Sequence, residues 1–137
     1  MAQLKQDFGV SFKPWIARLE AILETIEMSG PVRDEVKRAL LELSQVRNVL
    51  VYRKGLADSK LINLCPWLAL KPGDSVRVSQ AQFRDYSMAG HWYLVELDVR
   101  KCIRLKYDDS RIEFRRKMQN RILELISRVG RRTDESH

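Results

Sequence analysis

Apolar residues recur at every third or fourth position through most of this 137-residue chain. The spacing is clear in four segments, which begin after Pro14, after Pro31, at Ser79 and after the "YDDS" sequence at 107–110. A repeat of this period places apolar side chains on one face of an α-helix, and such faces have to be buried against one another. The periodicity fails only at about 56–78. The chain is therefore predicted to form an all-α bundle of four or five helices with one irregular crossover.

Glycine and proline set most of the predicted helix limits. Gly30 and Pro31 separate the first two helices, and a link this short predicts an antiparallel pair. The second helix is expected to end at Gly55 and the last at Gly130. The predicted core faces are Trp15, Leu19, Ile22 and Ile26, widened by Ile16 and Leu23; Val36, Leu40, Leu43 and Leu50; Phe83, Tyr86, Gly90, Leu94 and Leu97 with Trp92, Val95, Val99 and Ile103 on a second side; and Phe114, Met118, Ile122, Leu125 and Val129.

Two smaller features complete the predicted architecture. Ser79 and Gln82 form an S-x-x-Q pattern, which predicts a capping box at the start of the third long helix. In the crossover, "SVRVS" alternates like a strand and predicts a short β-ribbon near 70–79. We expect residues 1–130 to form a single domain and residues 131–137 to be a flexible basic and polar tail.

Composition narrows the classes of function. No apolar run approaches the ~20 residues that a membrane span needs, and no secretory segment precedes the first helix, so we expect a cytoplasmic protein. Cys65 and Cys102 belong to no C-x-x-C pair, so neither a zinc site nor a cofactor is predicted. His91 stands beside Trp92 and is interpreted as a packing residue, and His137 is the terminal residue.

Positive charge is concentrated towards the end of the chain. The formal net charge is +7, and residues 111–132 contain eight basic side chains and only two acidic ones. A basic surface of this kind attracts polyanions, RNA first, although a solvated helix face gives the same pattern. The basic residues that we predict to contact RNA are Lys117, Arg121 and Arg128 on one flank of the last helix, and Arg53 and Lys54 in the second.

Arg47 is the most unusual residue of the second helix. At ~100° per residue it lies within about 20° of the predicted apolar face. Burying an unpaired guanidinium is costly, so Arg47 is expected to meet an intramolecular carboxylate, a subunit interface or an anionic ligand. Asn48 and Tyr52 are four residues apart and share a face, whereas Arg47 and Tyr52 lie ~140° apart on an ideal helix.

The sequence "RNVLVYRKG" at 47–55 resembles the signature of HEPN domains, which are small prokaryotic helical bundles. That family carries R-N-x-x-x-H near the end of a helix, followed by a glycine and an extended crossover. The order of the segments here is similar, and the resemblance extends over about 30–125. It is closest to the subgroup associated with RNA-repair and phage-defence operons. In this chain Tyr52 stands where the family has its histidine.

The resemblance implies a bundle that forms a homodimer through the motif helices, so that two motifs face each other. Many such proteins are metal-independent endoribonucleases in toxin–antitoxin or phage-defence systems, and a cognate antitoxin would be a partner. Arg47 would bind the RNA phosphate, Asn48 would orient the site, and Tyr52 would occupy the position of the catalytic histidine.

The tyrosine changes the expected chemistry. A histidine with a pKa near ~6.5 can exchange protons at neutral pH, whereas tyrosine, with an ordinary pKa near ~10, is a poor base. The chain is then a natural non-catalytic member, a weak nuclease with tyrosine in another role, or an inactivated variant of a toxic parent. The alternative function is a non-catalytic dimerising module that binds a partner protein or nucleotide. A DNA-binding regulator is less favoured, since no helix-turn-helix spacing is present.

Overall fold

The computed structural model describes the backbone of residues 15–135 and the side chains of residues 16–126. It contains five α-helices and one 3-10 turn over Pro66–Leu68. The helices are α1 (Trp15–Thr25), α2 (Asp34–Tyr52), α3 (Ser59–Leu64), α4 (Gln80–Arg104) and α5 (Asp109–Glu135). Within these residues the only β pairing is an isolated antiparallel bridge between Leu56 and Ser75. The prediction of an all-α bundle is confirmed.

Local sequence signals account for several helix ends. The predicted capping box is present: the Gln82 N–H donates to Ser79 Oγ at 3.1 Å, and the Ser79 N–H donates to Gln82 Oε1 at 2.8 Å. Asp58 caps α3 by accepting the Leu61 N–H at 2.9 Å. The expected end of α5 at Gly130 is wrong, because the helix continues to Glu135. Glycine inside a helix costs only about 1 kcal/mol, so it does not by itself end one.

The helix α4 is central to the bundle, since it packs against both α2 and α5. The main core is built from apolar side chains of four helices and of the link between α1 and α2. Its buried members are Ile16, Val32, Val36, Leu40, Ala89, Trp92, Tyr93, Ile122 and Ile126.

The crossover, residues 56–78, forms a second core against the later half of α2. This core contains Val46, Val49, Ala57, Leu61, Cys65 and Val76. Backbone hydrogen bonds join the two ends of the crossover: Ala57 N–H to Asp74 O at 2.8 Å, and Gly73 N–H to Ala57 O at 2.9 Å. The predicted β-ribbon is therefore reduced to these hydrogen bonds and the isolated Leu56–Ser75 bridge.

The predicted core faces are partly wrong, because helical spacing gives a period but not the exact centre of the buried side. Among the described side chains of α5, Ile122 is buried as predicted, but the other buried positions are Gln119 and Ile126 in place of Met118 and Leu125. His91 is exposed and not a packing residue. The residues that were expected in the core but are exposed are Ile22, Ile26, Leu50, Phe83, Leu94, Ile103, Phe114 and Leu125. Trp15 and Val129 lie outside the described side chains.

Both cysteines are buried free thiols. Burial, helped by the charge of Glu42, raises the pKa of Cys65 to about 11. Across the described helices, none combines the length and the apolar character that crossing a membrane requires.

Candidate functional site

The motif residues lie in the last turns of α2 and are open to solvent. Arg47 is exposed, Asn48 is half-buried and Tyr52 is 68% exposed. None of the three side chains makes a hydrogen bond or ion pair with another described residue. The chain therefore leaves a guanidinium, an amide and a phenol available for a ligand.

The expectation that Arg47 lies on a buried apolar face is wrong. The first half of α2 buries Val36 and Leu40 in the main core, whereas the second half buries Val46 and Val49 under the crossover. At ~100° per residue these two pairs are on different sides of the helix. Val36 and Arg47 lie on the same side of α2, but this side is buried at Val36 and exposed to solvent at Arg47. The charge of Arg47 therefore needs no intramolecular carboxylate to compensate it.

The end of α2 is held in a defined conformation by the crossover. After the last turn of α2, Lys54 and Gly55 adopt the left-handed conformation, with φ of 57° and 76°. The Gly55 N–H donates to Val49 O at 3.1 Å. Glycine adopts this conformation without the steric cost that other residues pay. Gly55 O then accepts the Val76 N–H at 2.8 Å, which ties the motif end to the crossover.

The predicted RNA-contacting residues fall into two groups. Arg53 and Lys54 lie at the motif end of α2, and Arg53 Nε is 3.5 Å from Asp58 Oδ2. Lys117 and Arg121 are exposed on α5, where Lys117 Nζ is 3.6 Å from Glu113 Oε1. No ion pair or hydrogen bond joins this second group to the described motif residues. The side chain of Arg128 lies outside the described part.

The motif does not line either of two surface grooves. A groove of about 830 Å³ runs between α1 and α2 and includes Ala21, Leu41 and Trp67. A second groove of about 540 Å³ includes Arg100 and Arg116. Since Arg47, Asn48 and Tyr52 line neither groove, they lie on an open surface of the chain.

A cluster of interacting polar side chains around Glu42 is not apparent from the sequence. Glu42 Oε1 accepts from Trp67 Nε1 at 2.7 Å, and Oε2 accepts from the Tyr86 hydroxyl. The Arg38 guanidinium lies 4.3 Å from the centre of the Trp67 ring. These contacts attach the crossover to α2 and α4. No spacing within one helix reveals them, because the partners are up to 44 residues apart.

Asp85 lies beside this cluster and has an altered proton affinity. One of its oxygens, Oδ1, is buried and has no hydrogen-bond partner among the described residues. Burial raises the pKa of Asp85 to about 6, and the charge of Glu42 acts in the same direction, whereas Arg84 opposes it. The carboxyl can therefore change its charge near neutral pH.

A second missed group is the buried ionic network around Arg100. Its side chain is 7% exposed, and Nη1 lies 2.7 Å from Glu20 Oε1, while Nε lies 3.5 Å from Glu96 Oε1. Glu96 also accepts from Arg116 at 2.5 Å and from Gln119 at 2.9 Å. The available signal was the i, i+4 spacing of Glu96 and Arg100 among the aromatic and apolar residues of α4.

The described residues contain no group of three or more His, Cys, Asp or Glu side chains arranged to hold a metal ion. Comparison with known proteins adds no identification: no protein-family model, no curated protein and no solved structure matches this chain.

Proposed function

We propose that this chain is a HEPN-type, RNA-acting domain of a prokaryotic toxin–antitoxin or phage-defence system. Its chemistry is that of a metal-independent endoribonuclease, weakened or lost because Tyr52 occupies the position of the motif histidine. The proposal rests on the "RNVLVYRKG" sequence and on the place of that sequence in an all-α bundle, before an irregular crossover.

The observation that carries the proposal is the open state of the motif. Arg47 is exposed and has no carboxylate partner among the described residues. A guanidinium of this kind can donate two hydrogen bonds to a phosphate without first breaking an internal ion pair. Asn48 is half-buried next to it and can add an amide donor and acceptor.

Tyr52 limits what the site can do to a bound RNA. Cleavage by the 2′-hydroxyl needs one group to remove its proton and another to protonate the leaving oxygen. The Tyr52 hydroxyl can donate a hydrogen bond to the phosphate, but it supplies no neutral-pH base. Binding without efficient cleavage is the expected behaviour.

A homodimer through the motif helices would complete the site. Leu43 is partly buried against the main core, whereas Leu50 is 45% exposed, so the end of α2 beside Arg47 keeps apolar surface open to solvent. A two-fold contact here would place two Arg47 side chains beside one RNA-binding cleft. A cognate antitoxin would be a further partner in such a system.

The test is RNA degradation by the wild-type chain and by Tyr52→His, both supplied with chelator. We expect the histidine variant to cleave RNA at least tenfold faster than the wild type, because histidine restores a proton-transfer group with a suitable pKa. The control is Tyr52→His combined with Arg47→Ala, which should lose the activity again. Absence of cleavage in every variant would contradict the nuclease ancestry of the site.

That negative result would favour a second function, a non-catalytic dimerising module that binds a partner protein or nucleotide. The observation in its favour is that Leu50, Val51 and Leu56 are exposed apolar residues around the motif. Apolar surface of this kind is common where proteins bind one another.

A further inference from the structure

The crossover places a further basic side chain beside Arg53 and Lys54 at the end of α2. Gly55 O accepts the Val76 N–H at 2.8 Å, next to the isolated antiparallel bridge that joins the two ends of the crossover. Residues that are directly opposite each other in an antiparallel pair follow one register, and this register places Arg77 opposite Lys54. Val76 is buried and Arg77 is exposed, so the Arg77 side chain lies on the solvent side.

Lys54 and Arg77 have no counter-ion among the described residues. Both are exposed, and neither side chain makes a hydrogen bond, an ion pair or a ring contact with another described residue. The two carboxylates of the crossover have other contacts: Asp58 Oδ2 lies 3.5 Å from Arg53 Nε, and Asp74 Oδ2 accepts a backbone N–H at 2.8 Å. Like charges on opposed residues repel each other. Two neighbouring cations without a carboxylate therefore favour the binding of an anion.

The surface that carries these two cations continues to Arg47. Leu50 is one helical turn after Arg47 and is 45% exposed, and its Cδ2 atom lies 3.8 Å from a Cβ atom built at Gly55. Leu50 therefore lies between Arg47 and the turn at Lys54 and Gly55. Seven residues of helix rise by about 10 Å, which is the approximate distance along α2 from Arg47 to this turn. A nucleic-acid strand presents successive phosphates over such a distance.

The end of α2 gives Arg53 and Lys54 a structural reason that does not extend to Arg77. The carboxyl end of a helix carries partial negative charge, which cations stabilise. Arg53 and Lys54 directly follow the last residue of α2 and can supply this compensation. Arg77 belongs to the crossover and adds repulsion at an end that already has two cations. A ligand with more than one negative charge accounts for all three.

We propose that Arg77 is a phosphate ligand of the RNA site, and that the crossover forms part of the RNA-binding surface. This inference rests on the proposed RNA function. Arg47 contacts one phosphate, and Arg77 contacts another phosphate further along the same strand. The hydrogen bond between Gly55 and Val76 fixes the position of the crossover relative to α2 and thereby the distance between the two contacts.

Filter binding of a single-stranded RNA oligonucleotide to Arg77→Ala tests the proposal. The affinity should fall about tenfold, as expected for the loss of a charge-assisted hydrogen bond, and the log–log salt slope should fall by ~0.7. Arg77→Lys keeps the charge and should keep the salt slope of the wild type. Equal affinities for Arg77→Ala and the wild type would overturn the proposal.

The matched control is Arg33→Ala, which removes an arginine with a 59% exposed side chain from the opposite end of α2. The 19 residues of α2 separate the two ends by about 28 Å. Its RNA affinity and salt slope should therefore stay close to those of the wild type. If Arg33→Ala and Arg77→Ala weakened RNA binding equally, net charge alone would account for the effect and the proposal would be wrong.

Thermal melting separates a phosphate ligand from a structural side chain. Arg77 has no partner among the described residues, so the melting temperature of Arg77→Ala should stay within about 2 °C of the wild type. A large fall in melting temperature with unchanged RNA affinity of the folded protein would overturn the proposal and leave Arg77 as a residue that stabilises the crossover.

Arg47→Ala in the same titrations separates this proposal from the proposed function. If only Arg47→Ala lowers the affinity, the role of Arg77 is overturned and the motif site stands. If only Arg77→Ala lowers it, Arg77 is supported and the assignment of Arg47 fails. RNA shortened from one end gives the order of the contacts: the effect of Arg77→Ala should disappear at a length that still shows the effect of Arg47→Ala. Loss of both effects at one length would contradict separate phosphates.

Discussion

Two arginines of this chain are found in opposite environments. Arg47 is exposed and has no partner among the described residues, whereas the Arg100 side chain is 7% exposed and contacts Glu20 and Glu96. The high cost of an unpaired buried guanidinium is therefore avoided at Arg100 by pairing and at Arg47 by exposure. This contrast separates a structural arginine from one that is free to bind a ligand.

The raised pKa of Asp85 predicts that the stability of the fold depends on pH. Its pKa is raised from 3.8 to about 6 in the folded state, so the folded protein favours the protonated carboxyl. The resulting stabilisation is fully present below pH 3.8 and is lost as the pH rises through about 6. Asp85→Asn cannot ionise, so it should be more stable than the wild type by about 1–2 kcal/mol at pH 7, with little difference at pH 4.

Urea unfolding at the two pH values measures this difference. The groups that act on Asp85 are Glu42 and Arg84, so both are left unchanged in the variant. The control is Asp109→Asn, which alters an exposed carboxyl in the first turn of α5. If Asp85→Asn raised the free energy of unfolding by the same amount at pH 4 and pH 7, ionisation of Asp85 would have no effect on folding.

At the scale of helices, the network around Arg100 joins three elements. Glu20 belongs to α1, Arg100 and Glu96 to α4, and Arg116 to α5. Removal of one member of a buried ionic group leaves the others without full compensation. The network adds to the apolar core that Ile16 of α1 shares with α4, and to the hydrogen bond that the Tyr93 hydroxyl donates to Glu20 at 3.0 Å.

Arg100→Ala should lower the free energy of unfolding by about 3–5 kcal/mol, because Glu20 and Glu96 lose their shared cation. Chemical denaturation at neutral pH is the measurement. The matched control is Lys117→Ala, which breaks the exposed pair with Glu113 at 3.6 Å and should change stability by less than about 0.5 kcal/mol. A loss below about 1 kcal/mol for Arg100→Ala would mean that the network does not stabilise the bundle.

Sequence signals predicted the helices better than their buried sides. Ser79 with Gln82, and Gly55 at the end of α2, are local signals, and both appear as helix ends in the structure. The burial of Val46 and Val49 depends on the crossover, which approaches from residues far along the chain. The motif could be located from its sequence, but its exposure and the Glu42 cluster depend on tertiary packing.

For the whole molecule, the concentration of basic residues at 111–132 predicts how RNA binding depends on salt. If Lys117, Arg121 and Arg128 contact phosphates, replacing all three by alanine should lower the log–log salt slope by about 2, at ~0.7 per contact on a single strand. Filter binding over a range of salt concentrations gives the slope. A control variant with alanine at Arg33, Lys37 and Lys101 loses the same charge from the +7 chain and should keep the slope. Equal slopes for the two variants would mean that the α5 residues form only a solvated face.

The most direct test of the account compares folding and RNA binding in Arg47→Ala. Because Arg47 is exposed and has no partner among the described residues, the free energy of unfolding should change by less than about 0.5 kcal/mol. RNA affinity should fall by about 1.5–3 kcal/mol, or roughly 10- to 150-fold, which is typical of a lost charge-assisted hydrogen bond. The control is Arg33→Ala, at the opposite end of α2, which removes the same charge away from the motif. Equal RNA affinities for Arg47→Ala and Arg33→Ala would contradict the assignment of Arg47 as the phosphate ligand.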